Sequence, residues 1–216
     1  MKYFGLFMLL LVTTLFVACD LKFDNKKTED EISDTVEMVD AATSNHLTFK
    51  GVPIDGTLKQ YVARMKKAGF TYVGKEDGVA ILKGDFAGCK GCEVYVSTLE
   101  GNDVVSRIVV VFPDQETWEY LYGDYKHLKE LLTEKYGQPS AVKEEFQGFN
   151  LSCETDNDKL HKVKMDECKY ETRFTTDKGE IVLWIEHDRF ISTFVCLQYK
   201  DKINSSYIKQ QALNDL

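Results

Sequence analysis

Histidine is scarce in this sequence, and the common catalytic motifs are missing. The sequence has no H-E-x-x-H, no G-x-S-x-G, no glycine-rich phosphate loop and no dinucleotide-binding fingerprint. In the stretch Glu186-His187-Asp188, a strand would turn His187 away from its two neighbours, so these residues cannot form a local proton relay. We therefore predict no catalytic residues, no metal site and no cofactor. The four histidines are scattered at His46, His127, His161 and His187.

An excess of basic residues is also missing. The chain has 27 lysines and arginines against 35 acidic residues, which gives a formal net charge of −8. A phosphate backbone would repel such a chain unless one face were strongly basic. The lysines from Lys159 to Lys169 are interleaved with acids, a pattern that we interpret as a solvated hairpin. We therefore expect no nucleic-acid partner.

Long apolar runs are absent after the N-terminus. The run from Tyr3 to Val12 follows Lys2, and about ten apolar residues are too few to span a bilayer, which takes roughly 20. With Leu15-Phe16-Val17-Ala18-Cys19, this leader resembles the processing site of a bacterial lipoprotein. The alternative is a buried or interfacial N-terminal helix that contains a cysteine by chance.

The lipoprotein resemblance implies a location. Signal peptidase II would remove residues 1–18, and a diacylglycerol thioether on Cys19, with fatty acyl chains such as palmitate, would bind the chain to a membrane. Two or three lipid chains hold a protein firmly, whereas one chain binds only marginally. We therefore expect a lipid-anchored protein of the cell envelope, on the outer membrane, facing the periplasm or the cell surface.

Residues 19–45 differ in composition from the rest of the chain. They contain many acidic residues and few apolar ones, so they cannot bury enough apolar surface to offset their ordering entropy. We interpret this segment as an acidic flexible tether. The alternative is an acidic docking arm or a short helix through Ile32, Val36 and Val39.

Residues 46–216 are long enough for one domain with its own core. A first helix is predicted over 57–68, because Thr57 and Gln60 form a capping box and Gly69 ends the pattern. A second helix is predicted over 115–136, opened by Pro113 and Asp114. Strands are predicted over 47–49, 71–74, 79–83, 93–98, 104–112, 141–148, 162–175, 180–187 and 190–199, with a helical turn near 205–213.

The domain also contains a weak internal repeat. Residues 84–96 align without gaps on residues 172–184, and this alignment matches Phe86 with Phe174 and the Lys-Gly pair at 90–91 with the pair at 178–179. We predict two copies, about 46–112 and 113–200, each with one helix and about four antiparallel strands, the Lys-Gly pair forming a turn in both. The alternative is that two unrelated meanders of β-branched residues look alike.

This order of elements is similar to that of beta-lactamase inhibitor protein-like tandem folds, which also occur in cell-envelope lipoproteins. The resemblance implies an α+β fold in which the helices pack on one face of an antiparallel sheet. It depends on element order and not on a residue motif, so no inhibitory residue is transferred to this chain, and the fold does not by itself imply the function.

Five cysteines follow Cys19, an odd number for an exported chain. Cys89 and Cys92 have the C-x-x-C spacing of a redox pair but lie in a predicted turn between strands, and no further ligand pair completes a zinc site. We predict disulfide bonding among Cys89, Cys92, Cys153 and Cys168 and leave the pairing open; free thiols and thiol redox chemistry are the alternatives. Cys196 is predicted to be a small buried side chain.

These observations favour a non-enzymatic binding or protein-interaction domain on a lipid anchor. Its expected partners are the membrane, through the N-terminal lipid, and a protein of the envelope. Recognition would use the open face of the sheet or the loops at 86–92 and 150–161. The alternatives are an envelope enzyme with thiol chemistry at Cys89 and Cys92, and a structural subunit of an envelope assembly.

The leader makes a direct prediction. Mass spectrometry of the protein from membranes should find residues 1–18 removed and an acylated Cys19 at the new N-terminus, because the leader is too short to remain as a membrane helix. In the Cys19→Ser variant the acyl adduct should disappear and the protein should leave the membrane fraction. An intact leader without a fatty acyl adduct would refute the lipoprotein interpretation.

Overall fold

The structure is a computed structural model that describes residues 44–99, 102–148, 155–188, 192–206 and 213. The α+β class is confirmed. The strands are β1 (Thr48–Phe49), β2 (Val52–Pro53), β3 (Thr71–Glu76), β4 (Val79–Phe86), β5 (Cys89–Thr98), β6 (Val105–Val111), β7 (Ala141–Phe146), β8 (Cys168–Thr176), β9 (Gly179–Asp188) and β10 (Ser192–Asp201). The helices are α1 (Leu58–Lys67), α2 (Trp118–Tyr136) and α3 (Asp156–Lys164).

Eight strands form one antiparallel sheet, and β1 and β2 form a separate two-stranded ribbon. The order across the sheet is β3-β4-β5-β6-β10-β9-β8-β7. Two successive meanders therefore meet in the middle, where β6 pairs with β10. The last strand of the chain lies at the centre of the sheet, while β3 and β7 form its edges.

Local capping signals explain where α1 and α2 begin. The predicted capping box of α1 is confirmed. The Thr57 hydroxyl oxygen accepts from the backbone N–H of Gln60, and the Gln60 side-chain oxygen accepts from the backbone N–H of Thr57. The second helix begins at Trp118 and not at residue 115, because Thr117 is its N-cap. Gln115 instead forms a β-bridge with Thr193, which keeps that part of the chain extended.

Residues 155–164 correct two predictions, a loop over 150–161 and a strand beginning at 162. They form α3, which starts at a second capping box in which Thr155 and Asp158 bond each other's backbone amides. Lys162 is buried, and its ammonium donates to the Gln147 carbonyl oxygen at 2.6 Å and to Glu167 at 3.3 Å. The solvated hairpin expected here is therefore wrong: α3 packs its lysine inward, and β8 begins only at Cys168.

The two Lys-Gly pairs occupy different structural positions, which corrects the shared turn predicted from the repeat. The β4–β5 turn consists of Ala87 and Gly88, both with positive φ, so the first Lys-Gly pair lies inside β5. The second pair spans the end of the β8–β9 turn. Gly179 is needed there for close approach, since a Cβ at this position would lie 2.2 Å from the Lys200 carbonyl oxygen.

One hydrophobic core lies on the inner face of the sheet. Buried side chains of α1, α2 and α3 join alternate residues of the central strands, such as Val94, Ile108 and Leu183. The aromatic residues Trp118 and Tyr125 of α2 are buried in this cluster. Among the described residues, no helix is long and apolar enough to cross a membrane. A helical segment lies at 202–206 and overlaps the turn predicted near 205–213 only at its start; residues 207–212 lie outside the described part.

A buried carboxylate joins the start of the described chain to the end of β10. Asp201 has no exposed side-chain surface, and its two oxygens accept from the backbone amides of Leu47 at 2.8 Å and Asn204 at 2.9 Å. The imidazole Nδ1 of His46 lies 3.1 Å from the same carboxylate. Because a buried carboxylate needs such partners, Asp201 fixes the β1–β2 ribbon against the centre of the sheet.

Replacing this carboxylate should destabilise the domain. Asp201→Asn keeps the size of the side chain but turns one acceptor oxygen into a donor that faces donors, and we expect a loss of about 2–3 kcal/mol in the free energy of unfolding. Urea denaturation measures this change. Glu119→Gln, at an exposed position in the first turn of α2, is the control and should change stability little. Equal stability of the two variants would contradict the role given to Asp201.

Candidate functional site on the outer face of the sheet

The outer face is the side of the sheet opposite the hydrophobic core. Strand alternation and register place on it a strip of apolar residues in the four central strands. Cys196 in β10 lies between Val111 and Trp184, and Gln198 lies between Val109 and Val182. The apolar strip, as used below, consists of Tyr95, Val109, Val111, Val182, Trp184, Phe194 and Cys196.

Two aromatic side chains, Tyr95 and Trp184, form the two sides of this strip, and a carboxylate on the same strand accepts a hydrogen bond from each of them. The Tyr95 hydroxyl donates to Glu93 at 2.8 Å, and the Trp184 indole Nε1 donates to Glu186 at 3.0 Å. Burial raises the pKa of Tyr95, and its bond to Glu93 adds to the shift. Because β6 and β10 lie between β5 and β9, the two rings stand about three strand spacings, or roughly 14 Å, apart.

Charges at the two ends of the strip differ in sign. At the end where β10 finishes, Lys200 is the direct cross-strand neighbour of Arg107. Burial lowers the pKa of Arg107, so its charge is held in a poorly solvated place. Lys200 also neighbours Glu180, which accepts from Arg173 at 2.8 Å.

The opposite end of the strip is acidic. The Glu93 carboxylate lies on this side, 3.8 Å from the Lys83 ammonium. Glu186 and Asp188 are the last two outward-facing residues of β9. Glu186 and Asp188 share the outer face, as alternation predicted. The face therefore has an apolar middle, aromatic sides and ends of opposite charge.

The predicted cysteine sites are only partly within the described residues. Cys89, Cys92 and Cys196 are thiols, and Cys92 points its sulfur at the Cys89 carbonyl oxygen at 3.8 Å. Cys168 begins β8 opposite Phe146. Cys19 and Cys153 lie outside the described residues, so the lipidation and the pairing of Cys153 stay predictions, and so does a bridge formed at Cys89 and Cys92 in an oxidising compartment.

The surroundings of these thiols raise their pKa values. Burial raises the pKa of Cys92 to about 11, with a further contribution from Cys89, and burial next to Asp124 raises the pKa of Cys89. Burial also raises the pKa of Cys196 well above its ordinary value. Reactive cysteines have lowered pKa values at electropositive sites, which is the opposite of what is seen here.

The histidines are distributed as structural residues. His187 lies on the inner side, where its ring Nε2 is 3.1 Å from Asp166 Oδ1, while Glu186 points outward. His127 lies on α2 and His161 on α3. Within the described residues there is no group of three or more metal-ligating side chains.

A concavity lies beside α2. It has a volume of about 500 Å³. The Lys129 ammonium crosses it to Glu144 at 2.6 Å, so its central charges already satisfy each other. Its lining consists of Tyr122, Tyr125, Lys126, Lys129, Glu130, Thr133, Glu134 and Glu144.

The fold defines an α+β protein built on an eight-stranded antiparallel sheet. No protein-family model, no curated protein and no solved structure matches this chain. Sequence reasoning named the open sheet face but not its residues. Glu93 and Tyr95, and likewise Trp184 and Glu186, are two residues apart and so share one face of their strand, which was a usable signal. The register of β6 on β10 was still needed to bring the two halves together.

The raised thiol pKa predicts slow alkylation. A pKa of about 11 in place of 9.0 lowers the thiolate fraction of Cys92 at pH 8 by roughly 100-fold, so iodoacetamide should modify it at least that much more slowly in the native chain than in denaturant. Peptide mass spectrometry, with and without prior reduction, measures the rate and also counts any bridged cysteines. A fast native reaction at Cys92 would favour the thiol-enzyme alternative.

Proposed function

We propose that this protein is a lipid-anchored, extracytoplasmic binding domain that recognises a protein partner through the outer face of its sheet. The observation that carries the proposal is the pair of oriented aromatic rings, Tyr95 and Trp184, on either side of the apolar strip. Tyrosine, tryptophan and arginine are the residues most enriched at the centres of protein interfaces.

The composition of the outer face supports binding over a purely structural role. The hydrophobic core is completed on the inner face without Tyr95, Trp184 or Phe194. An antiparallel sheet whose second face only meets water carries polar residues there, whereas the outer face of this one carries an apolar strip in which Phe194 and Cys196 are buried and Tyr95 and Trp184 are partly exposed. The carboxylates Glu93 and Glu186 fix the ring orientations, and such preorganisation lowers the entropy lost on binding.

The membrane anchor is the second part of the proposal. It rests on the leader and on Cys19, and the chain's net charge of −8 supports attachment through lipid, because anionic headgroups would repel an acidic protein. Placing a binding face on an anchored domain restricts its encounters to partners at the same membrane.

We also propose that the sheet arose by duplication. The meander β3 to β6 and the meander β7 to β10 have the same number of strands and meet through their last strands, which supports two copies of one helix followed by four strands. The gap-free sequence alignment needs revision, because the β4–β5 turn at 87–88 and the β8–β9 turn at 177–178 are offset by 90 residues and the alignment by 88. The likeness to beta-lactamase inhibitor protein-like folds belongs to this proposal.

The thiol-enzyme alternative has less support. The raised pKa values of Cys89 and Cys92 weigh against a nucleophilic or redox role. A structural envelope subunit would also use an interface, and it differs from a recognition domain in forming a permanent complex that survives purification in detergent.

Site-directed photo-crosslinking tests the binding face. A photoreactive phenylalanine at position 184 should form an adduct with another protein in intact cells, because Trp184 borders the apolar strip. The same residue at position 120, which is 65% exposed on α2, is the matched control and should give none. Trp184→Ala should abolish the adduct formed by a photoreactive phenylalanine at a second position on the outer face. The same variant should leave the thermal unfolding of the domain unchanged. Adducts at position 120 and none at 184 would place the interface elsewhere.

A further inference from the structure

The edge strand β7 is open on one side. It pairs with β8, and within the described residues no strand pairs with its other side. Residues 141–145 are all exposed, and Val142 is 47% exposed although it is apolar. The concavity beside α2 reaches this strand, because Glu144 contributes to its lining. An open edge of this kind is a template on which another strand can pair.

The backbone hydrogen bonds of β7 decide which of its residues can pair outward. The backbone N–H of Gln147 donates to the Glu167 carbonyl oxygen at 2.7 Å, and these two residues continue the β7–β8 register by one step. Bonded and non-bonded pairs alternate along an antiparallel ladder. The odd-numbered residues of β7 are therefore bonded to β8. The even-numbered residues Val142, Glu144 and Phe146 direct their N–H and C=O groups toward the open edge.

The side chains of β7 are complementary to those of a second, antiparallel copy of the same strand. A two-fold axis at Glu144 places Lys143 opposite Glu145 of the second copy, and Val142 opposite Phe146 of the second copy. Symmetry makes each of these pairs occur twice. Opposite charges, and apolar residues facing aromatic ones, stabilise an antiparallel pair of strands. Moving the axis by two residues in either direction, the next positions that the bonding allows, places Lys143 and Glu145 opposite uncharged residues.

The charged residues of β7 are available for such a contact. The Lys143 ammonium lies 3.0 Å from the Glu145 carboxylate of its own strand, and both side chains are about half exposed, at 50% and 51%. Exchanging this contact within one chain for two contacts between chains therefore moves no buried group. Glu144 would face its own copy at the axis, where the Lys129 ammonium of the same chain, 2.6 Å away, offsets the charge of each carboxylate.

We propose that two copies of this protein join at β7, antiparallel about a two-fold axis at Glu144, so that their two sheets form one continuous sheet. The charges on β7 make the contact selective, because charged side chains on an edge oppose pairing with any strand that does not offset them. The contact does not use the apolar strip and so goes beyond the proposed function. One consequence rests on that function: the axis keeps both outer faces on the same side, where they would bind two partners side by side.

Sedimentation equilibrium of charge-reversal variants tests the contact. The chain from residue 19, with Cys19→Ser so that it carries no lipid, is measured over a range of concentrations in a reducing buffer, and wild type should form a reversible dimer. Lys143→Glu and Glu145→Lys each turn two attractive pairs into repulsive ones, so each should raise the dissociation constant of the dimer at least about tenfold. Lys75→Glu makes the same change of charge on the other edge strand, β3, and should stay within about twofold of wild type.

Mixing the two reversal variants tests the register directly. The Lys143→Glu chain carries acids at both positions and the Glu145→Lys chain carries lysines at both, so a dimer of one chain of each kind has attractive pairs throughout. The mixture should therefore form this mixed dimer at close to the wild-type affinity, while each variant alone does not dimerise at the same concentration. Native mass spectrometry with one variant isotope-labelled distinguishes the mixed dimer. The contact within one strand cannot produce this result, because both variants lose it.

A proline on the open edge tests the backbone part of the contact. Val142→Pro removes an N–H that points away from β8, and proline is tolerated on an edge strand where its missing N–H would face solvent. The variant should lose the dimer at concentrations where wild type is dimeric. The circular dichroism of every variant is recorded to show that its chain is folded. If Val142→Pro does not fold, the mixing experiment alone decides the outcome, because it needs no change to the backbone.

Three results would overturn the proposal. These are a wild-type chain that stays monomeric at about 1 mM, a dimer that neither charge reversal weakens, or reversal variants that do not associate with each other. The second result would show that two copies join at another surface. Because no other protein is present in these measurements, their failure leaves the crosslinking test at position 184 intact, and failure of the crosslinking leaves the contact at β7 intact.

Discussion

The pairing of β6 with β10 is the constraint on which the rest of the structure depends. It joins the two meanders, and without it the domain would be two four-stranded sheets, each with one additional open edge, β6 or β10. The same five register pairs, from Cys196 with Val111 to Lys200 with Arg107, also assemble the outer face. Folding and site formation are therefore one event, and such a non-local pairing is expected to form slowly.

The two faces of the sheet obey different physical rules. On the inner face, helices and strands exclude water from a closely packed core, with Asp201 as a buried carboxylate that is fully engaged. On the outer face, apolar residues of the four central strands stand beside charged side chains, such as the cross-strand neighbours Arg107 and Lys200.

Sequence reasoning predicted the elements best where local signals are strong. The capping box at Thr57 and the alternation in the central strands are local, so α1 and most strands were predicted near their actual bounds. Helix α3 was missed because its signal, Thr155 with Asp158, was overlooked among mixed charges. The shared Lys-Gly turn was wrong because a matched dipeptide does not determine where a hairpin turns: the two turns are offset by 90 residues and the alignment by 88, and a shift of two leaves the alternation of faces unchanged.

The residues of the candidate site were harder to predict than the fold, because only the strand register brings them together. The place where the first described residues contact the sheet was harder still to predict. Ser44 and His46 contact the Lys178 turn and the end of β10, so tension applied through the preceding chain would act on the middle of the sheet. A central strand is bonded along both sides, and extracting it means shearing two ladders at once, whereas an edge strand unzips bond by bond. A domain held at this point would resist pulling from its N-terminal side far better than one held at β3 or β7.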